Sequence, residues 1–250
     1  MWCSSSVAAL ASAGKHAGLP GALPSGAMPG CCRRDYERFF TRSLASRLAA
    51  RYRKRGLDKT SRRMVDFLRD RGIDGSTIVE IGGGVGEIQI ELLRAGASHV
   101  TSLELSATWE DDARALALEA GVAERIDRRL HDIAEEPASV ESADVVVLHR
   151  VVCCYGDYRR LLSSAADHAR QVLVFSYPPH NIGVSAFYVC FNLVMRLARC
   201  SFRGYSPPPE VMRAVLEEHG LQRTYEHRGS VWRIAAHERL ESMPESTSPC

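Results

Sequence analysis

What the chain lacks narrows its class first. Its eight cysteines (Cys3, Cys31, Cys32, Cys153, Cys154, Cys190, Cys200 and Cys250) include no C-x-x-C pair. A 250-residue chain with 45% hydrophobic residues can bury a full core without a disulfide framework. The cysteines therefore read as reduced thiols, no metal site is expected, and the expected compartment is the cytoplasm. No apolar run reaches the ~18 residues of a transmembrane span. The longest, "IGVSAFYVCFNLVMRLA", contains Asn192 and Arg196 and runs into Arg199. It reads as a buried or lid helix, with a helix lying on a membrane surface as the alternative. No acid precedes Asp35, and residues 1–30 are mostly Ala, Ser, Gly and Pro. Such a stretch cannot offset its ordering entropy, so a disordered, dispensable extension is expected, with Met28 as the initiator. A signal peptide would need a basic start, which is missing. Organellar import is the other alternative, although arginine is absent there.

Positive charge is present but unevenly placed. Residues 33–63 carry twelve Lys or Arg against three acids, a local charge of +9, while the whole chain is only +2. Phe39, Phe40, Leu44, Leu48 and Tyr52 recur there at helical spacing, which predicts helices over 33–55 and 60–72. Residues 31–75 thus form a basic helical segment. From residue 76 the pattern becomes strand and helix in alternation, with "ADVVVLH" as the clearest central strand. Near the end, "QRTYEHRG" and "VWRIAAHER" predict an antiparallel hairpin. The fold class that follows is α/β, doubly wound, with a mostly parallel seven-stranded sheet, a C-terminal antiparallel hairpin and N-terminal helices. The main domain spans 76–240, and a short tail, 241–250, follows it.

The stretch that carries chemistry is "VEIGGGVGEIQIELL", residues 79–93. An apolar strand ends at Glu80, a glycine turn follows, and a helix restarts. A dinucleotide fingerprint needs G-x-G-x-x-G. Counting from Gly82 places Glu87 where the third glycine belongs. A carboxylate there opposes a pyrophosphate at the helix N-terminus. What the turn does contain is acid-x-G-x-G-x-G: Glu80, Gly82, Gly84 and Gly86.

In this the sequence resembles the class I S-adenosylmethionine-dependent methyltransferases, over about residues 77–177 and, with the hairpin, to about 237. The resemblance implies S-adenosyl-L-methionine as cofactor. It implies that Glu80, Gly82, Gly84 and Gly86 pass under the methionine part. Glu104, with Leu105 beside it, matches the acid that accepts from the ribose hydroxyls. Asp132, followed by Ile133, matches the acid that receives the adenine amino group; a helix N-cap is the competing reading of Asp132. The end of "ADVVVLHR" would face the methyl-transfer centre, so His149 counts among the cofactor contacts too. In layout the later segments are similar to magnesium-protoporphyrin O-methyltransferases and related small-molecule enzymes. "YPPH" (Tyr177–His180) has the wrong order and place for the N-P-P-Y of nucleic-acid amino methyltransferases.

The implied reaction is in-line displacement onto an O or N acceptor, and positioning alone can contribute roughly 7–11 kcal/mol. His149 and Tyr155 are the candidate catalytic groups, since a general base helps where the acceptor must lose a proton. Local hydrogen bonding at a strand end is the other reading of His149. Arg150 and Tyr177 are the candidate substrate contacts. Cys153 and Cys154 are expected to pack under the next helix. Three readings of the basic segment stand open: a lid over a small anionic substrate, an RNA-binding arm, or a solvated face. The expected partner is a small-molecule substrate; RNA is disfavoured because the rest of the chain is net acidic. A non-catalytic cofactor-binding protein is the remaining alternative. Oligomeric state is not legible.

Overall fold

The structure, a computed structural model, describes residues 36–239. The expected extension 1–30 and tail 241–250 lie outside the described residues. After a helical turn at 36–39 come α1 (Arg42–Arg55) and α2 (Lys59–Asp70). The predicted first helix is split at Phe40. Thr41 is extended there, and its hydroxyl accepts the Leu44 N–H at 3.3 Å, which starts α1 afresh. Asp58 caps α2 in the same way, with Oδ1 at 2.8 Å from Thr60 N and 3.0 Å from Ser61 N.

The alternating part follows: β1 (Thr77–Ile81), α3 (Glu87–Arg94), β2 (His99–Glu104), α4 (Glu110–Glu119), β3 (Ile126–Leu130), β4 (Ala143–Leu148), α5 (Tyr158–His168) and β5 (Ala169–Tyr177). Then come α6 (Ile182–Leu197), α7 (Pro209–Glu218), β6 (Leu221–Arg228) and β7 (Arg233–Arg239). One seven-stranded sheet has the order β3-β2-β1-β4-β5-β7-β6. The first five strands are parallel, and β7 runs antiparallel to both β5 and β6. The expected doubly wound sheet with its closing hairpin is therefore present.

Strand β4 shows why its sequence is a continuous β-branched run. Val145 and Val147 pack into the apolar cluster on one face, and Val146 and Leu148 into the cluster on the other. A strand covered on both faces has no polar alternation to show. The first cluster also takes in Ala45, Ala49, Met64 and Leu68 from α1 and α2, all buried. The basic segment is thus built into the core on its apolar side.

Two of its arginines pair with acids of α4. Arg53 makes a two-pronged contact with Glu119 at 2.7 and 2.8 Å, and Arg42 lies 3.7 Å from Asp111. Ser46 Oγ donates to Asp112 at 2.9 Å.

Helix α6 departs from expectation. None of its residues is buried, so the buried-helix reading of this apolar stretch does not hold.

Candidate active site

Strand order reverses on either side of β1, and in open parallel sheets ligands sit beyond the carboxyl ends at such a point. A cavity of about 200 Å³ lies there. Its floor is the turn after β1. Gly82 has φ +68°, and a Cβ on it would stand 2.6 Å from Val151 Cγ2, so no other residue fits without displacing that loop. Gly86, at φ +86°, caps α3. Gly82 and Gly84 line the cavity, whereas Gly86 does not.

Glu80, Glu104 and Asp132 come to this cavity from the ends of β1, β2 and β3. Glu104 accepts the backbone N–H of Gly84, which ties the second strand to the glycine turn. Burial pushes the Glu104 carboxyl up to about 7, against the pull of that N–H and of Arg128. Glu80 is fully buried. Burial first, and the nearby Glu87 carboxylate second, raise it to about 8. Its Oε2 has no hydrogen-bond partner within the protein. Glu87 is raised by burial as well. Arg128, which sequence reasoning missed, runs beneath the turn; it donates to Gly84 O at 3.1 Å, Ser102 Oγ at 3.2 Å and Glu110 Oε2 at 3.1 Å.

A cavity with three carboxyls forced toward neutrality and an orphaned carboxylate oxygen favours a cation. A pyrophosphate would meet the opposite field. S-adenosylmethionine carries a sulfonium and an ammonium and no phosphate, so these residues fit it.

Asp132 makes the contact that the cap reading expects and lines the cavity. Its Oδ1 accepts Ala134 N at 3.0 Å, as a cap would. The carboxylate also receives the Tyr155 hydroxyl at 3.1 and 3.0 Å. Burial and Asp132 together raise the Tyr155 phenol, so it stays protonated and committed to that acid. Leu105 and Ile133 line the cavity beside their acids.

His149 follows β4 and reaches the cavity, but both its nitrogens are engaged. Nδ1 is 2.9 Å from Ser176 Oγ, and Nε2 is 3.2 Å from Ser61 Oγ. Both serines are buried. Ser176 Oγ also accepts the Arg150 N–H at 2.9 Å. Burial, with Arg150 adding to it, lowers the His149 imidazole to about 3.

Arg150 has φ +61° and lines the cavity. Its Nη2 donates to Asp58 Oδ2 at 2.5 Å, and its guanidinium lies 5.1 Å over the Trp232 ring. Burial works against the charge on Asp58, but the Ser61 N–H and Arg150 outweigh it and hold the carboxyl at about 2. Tyr177 is not brought to the cavity; it is buried beside Phe175 at a ring distance of 5.4 Å. Cys153 is buried as expected, whereas Cys154 lines the cavity wall.

The cavity also has walls that no sequence motif announced. Tyr36, Phe40 and Leu48 cover it from the N-terminal segment, and Trp109 from the turn before α4. Phe40 and Trp109 lie 5.6 Å apart, and the Tyr36 hydroxyl donates to Cys154 O at 2.6 Å.

A methyltransferase-domain family model matches residues 78–172. Magnesium protoporphyrin IX methyltransferase from Synechocystis PCC 6803, solved with S-adenosylhomocysteine bound, superposes at a TM-score of 0.62 and 19% identity, over 84% of this chain and 95% of that one. An O-methyltransferase family protein from Burkholderia thailandensis gives 0.62 at 18% identity, over 82% and 61% of the two chains. Geranyl diphosphate C-methyltransferase from Streptomyces coelicolor A3(2) gives 0.56 at 15% identity, over 72% and 77%. Among curated proteins none matches the chain. Residues 78–172 thus match a methyltransferase domain, and the chain around them has the fold of S-adenosylmethionine-dependent methyltransferases.

Proposed function

We propose that the chain methylates a small-molecule acceptor that enters the same covered cavity as the cofactor. The observation that carries this is the roof: Tyr36, Phe40 and Leu48 line the space over the glycine turn. Such a roof suits a small acceptor better than a folded RNA or protein, and two arginines of the segment, Arg42 and Arg53, are paired with α4 acids.

In this reading Glu104 takes the ribose hydroxyls. Asp132, fixed by Tyr155, takes the adenine amino group between Leu105 and Ile133. Glu80 and the turn of Gly82, Gly84 and Gly86 hold the methionine part, where the orphaned Oε2 meets positive charge. The sulfonium supplies an activated methyl, and the chain's part is to align an acceptor for in-line attack and exclude water. His149 is a positioning residue, because an imidazole held at about 3 with both nitrogens engaged is a weak base. The acceptor is accordingly an O or N atom that is nucleophilic at neutral pH without losing a proton to the protein, such as a carboxylate. Arg150 stands on the acceptor side with one Nη held by Asp58.

The test is incubation with methyl-labelled cofactor and a cell extract split into metabolite and RNA fractions. Label in a metabolite that gains one methyl is the expected result. Label in RNA, with affinity falling steeply as salt rises, would overturn it.

A further inference from the structure

Six of the ten exposed large hydrophobic residues among those described sit on one helix, α6: Ile182, Phe187, Val189, Leu193, Val194 and Leu197. They are 56% to 90% exposed. Scattered surface apolars need no explanation, but a contiguous face of this kind marks an interaction surface.

The helix is not loosely attached. Asn192 Nδ2 donates to Gly204 O and Asn192 Oδ1 accepts Gly204 N, both at 2.9 Å. Gly204 is needed there, since a Cβ would strike the Tyr188 ring at 2.5 Å. Phe191 packs near Phe39 at 5.8 Å and Phe202 at 6.2 Å. One side of α6 is thus clamped to the protein, and the clamp holds the apolar side outward.

The charge along the helix and its flanking sequence has one sign. Between Asp167 and Glu210 the chain has no acid. Arg196 and Arg199 stand exposed at the C-terminal end of α6. A face made of apolar side chains with arginines at its edge is complementary to anionic lipid headgroups over an acyl layer. The α6 of a second copy carries no acid to meet those arginines. The helix, at 16 residues, is about 24 Å long and falls short of a ~30 Å hydrocarbon core. No described helix is long and apolar enough to cross a membrane. It would lie along a bilayer surface, not across it.

We infer that α6 docks the protein on the surface of an anionic lipid bilayer, with Val189, Leu193 and Leu197 entering the headgroup–acyl boundary and Arg196 and Arg199 facing the headgroups. The docked face adjoins the cavity roof. Phe39 stacks on Phe202 at 4.2 Å, and Phe202 lies edge-on to Tyr36 at 5.5 Å.

Flotation of the full chain with vesicles tests this without reference to activity. Vesicles of phosphatidylcholine and phosphatidylglycerol, about two to one, should carry the protein ~10-fold better than pure phosphatidylcholine, and added salt should weaken the binding. The variant Val189→Asp/Leu193→Asp should lose binding ~10-fold or more, with melting temperature and S-adenosylhomocysteine affinity unchanged. A second variant, Arg196→Glu/Arg199→Glu, should remove the preference for the anionic lipid. Failure of the wild-type chain to float would overturn the inference. So would equal flotation of the aspartate variant, or a wild-type dimer that the aspartate variant dissolves while neither floats.

Discussion

His149 Nε2 lies 3.2 Å from Ser61 Oγ, so the end of β4 is joined to a helix that precedes the sheet in sequence. With Ser176 on the other nitrogen, the imidazole bridges α2 and β5 under the cavity. This places His149 as a strut between the N-terminal segment and the sheet.

A strut and a base fail differently. His149→Asn should lower the melting temperature but reduce the single-turnover methyl-transfer rate by less than ~10-fold, where loss of a general base costs about 10²–10⁴. The pH dependence has a defined sign. The folded imidazole is held near 3, below its ordinary 6.5. Its contribution to stability is therefore present above pH 6.5 and is lost as pH falls toward 3. Thermal melts across that window should fall less steeply for the Asn variant. A hundredfold rate loss, with the acidic limb of the rate profile gone, would restore the base.

Glu80 works in the opposite direction. Its folded carboxyl sits at about 8 instead of the ordinary 4.5. The stability it contributes is fully present below pH 4.5 and is lost as pH rises through 8. Glu80→Gln should melt at about the wild-type temperature near pH 4.5 and higher than wild type at pH 8. Coincident melts at both pH values would show that the buried carboxyl is not raised.

Phe40→Ala opens the roof beside Trp109. The side chain is half-buried, so a stability loss of about 1–2 kcal/mol is expected. The KM for the acceptor should rise several-fold while S-adenosylhomocysteine affinity stays within ~3-fold, because the lost contact is to the acceptor and to packing. Isothermal titration alongside steady-state kinetics separates the two. A matching loss of cofactor affinity would move the roof's role from acceptor to cofactor.

Much of this was legible from the chain itself because local pattern and local structure coincide there. The run "ADVVVLH" has to be a doubly covered strand, and Glu80 beside three alternate glycines has few other uses. Ser61, Ser176 and Asp58 gave no signal, since a serine or an N-cap aspartate looks the same whether or not a histidine or arginine lies against it. A lid was among the readings of the basic segment, but the residues that make the roof were not legible: Tyr36, Phe40 and Trp109 meet only after distant segments pack. Tyr177 looked exposed to substrate at a strand end, but its side chain turns into the core beside Phe175. Helix α6 misled because composition reports what a segment would prefer to bury, not whether the fold buries it.

The most direct test is calorimetric titration of S-adenosylhomocysteine into wild type and Glu104→Ala across pH 5.5 to 8.5. In the proposed placement Glu104 accepts from both ribose hydroxyls and loses that capacity when it protonates; its carboxyl stands at about 7. Wild-type affinity should therefore be level above pH 7 and fall below it. The Ala variant should bind about 1.5–3 kcal/mol more weakly at pH 8 and show no break near pH 7. Equal affinity in the two proteins, or a wild-type curve that is flat through pH 7, would contradict the placement of the cofactor between Glu104 and the glycine turn.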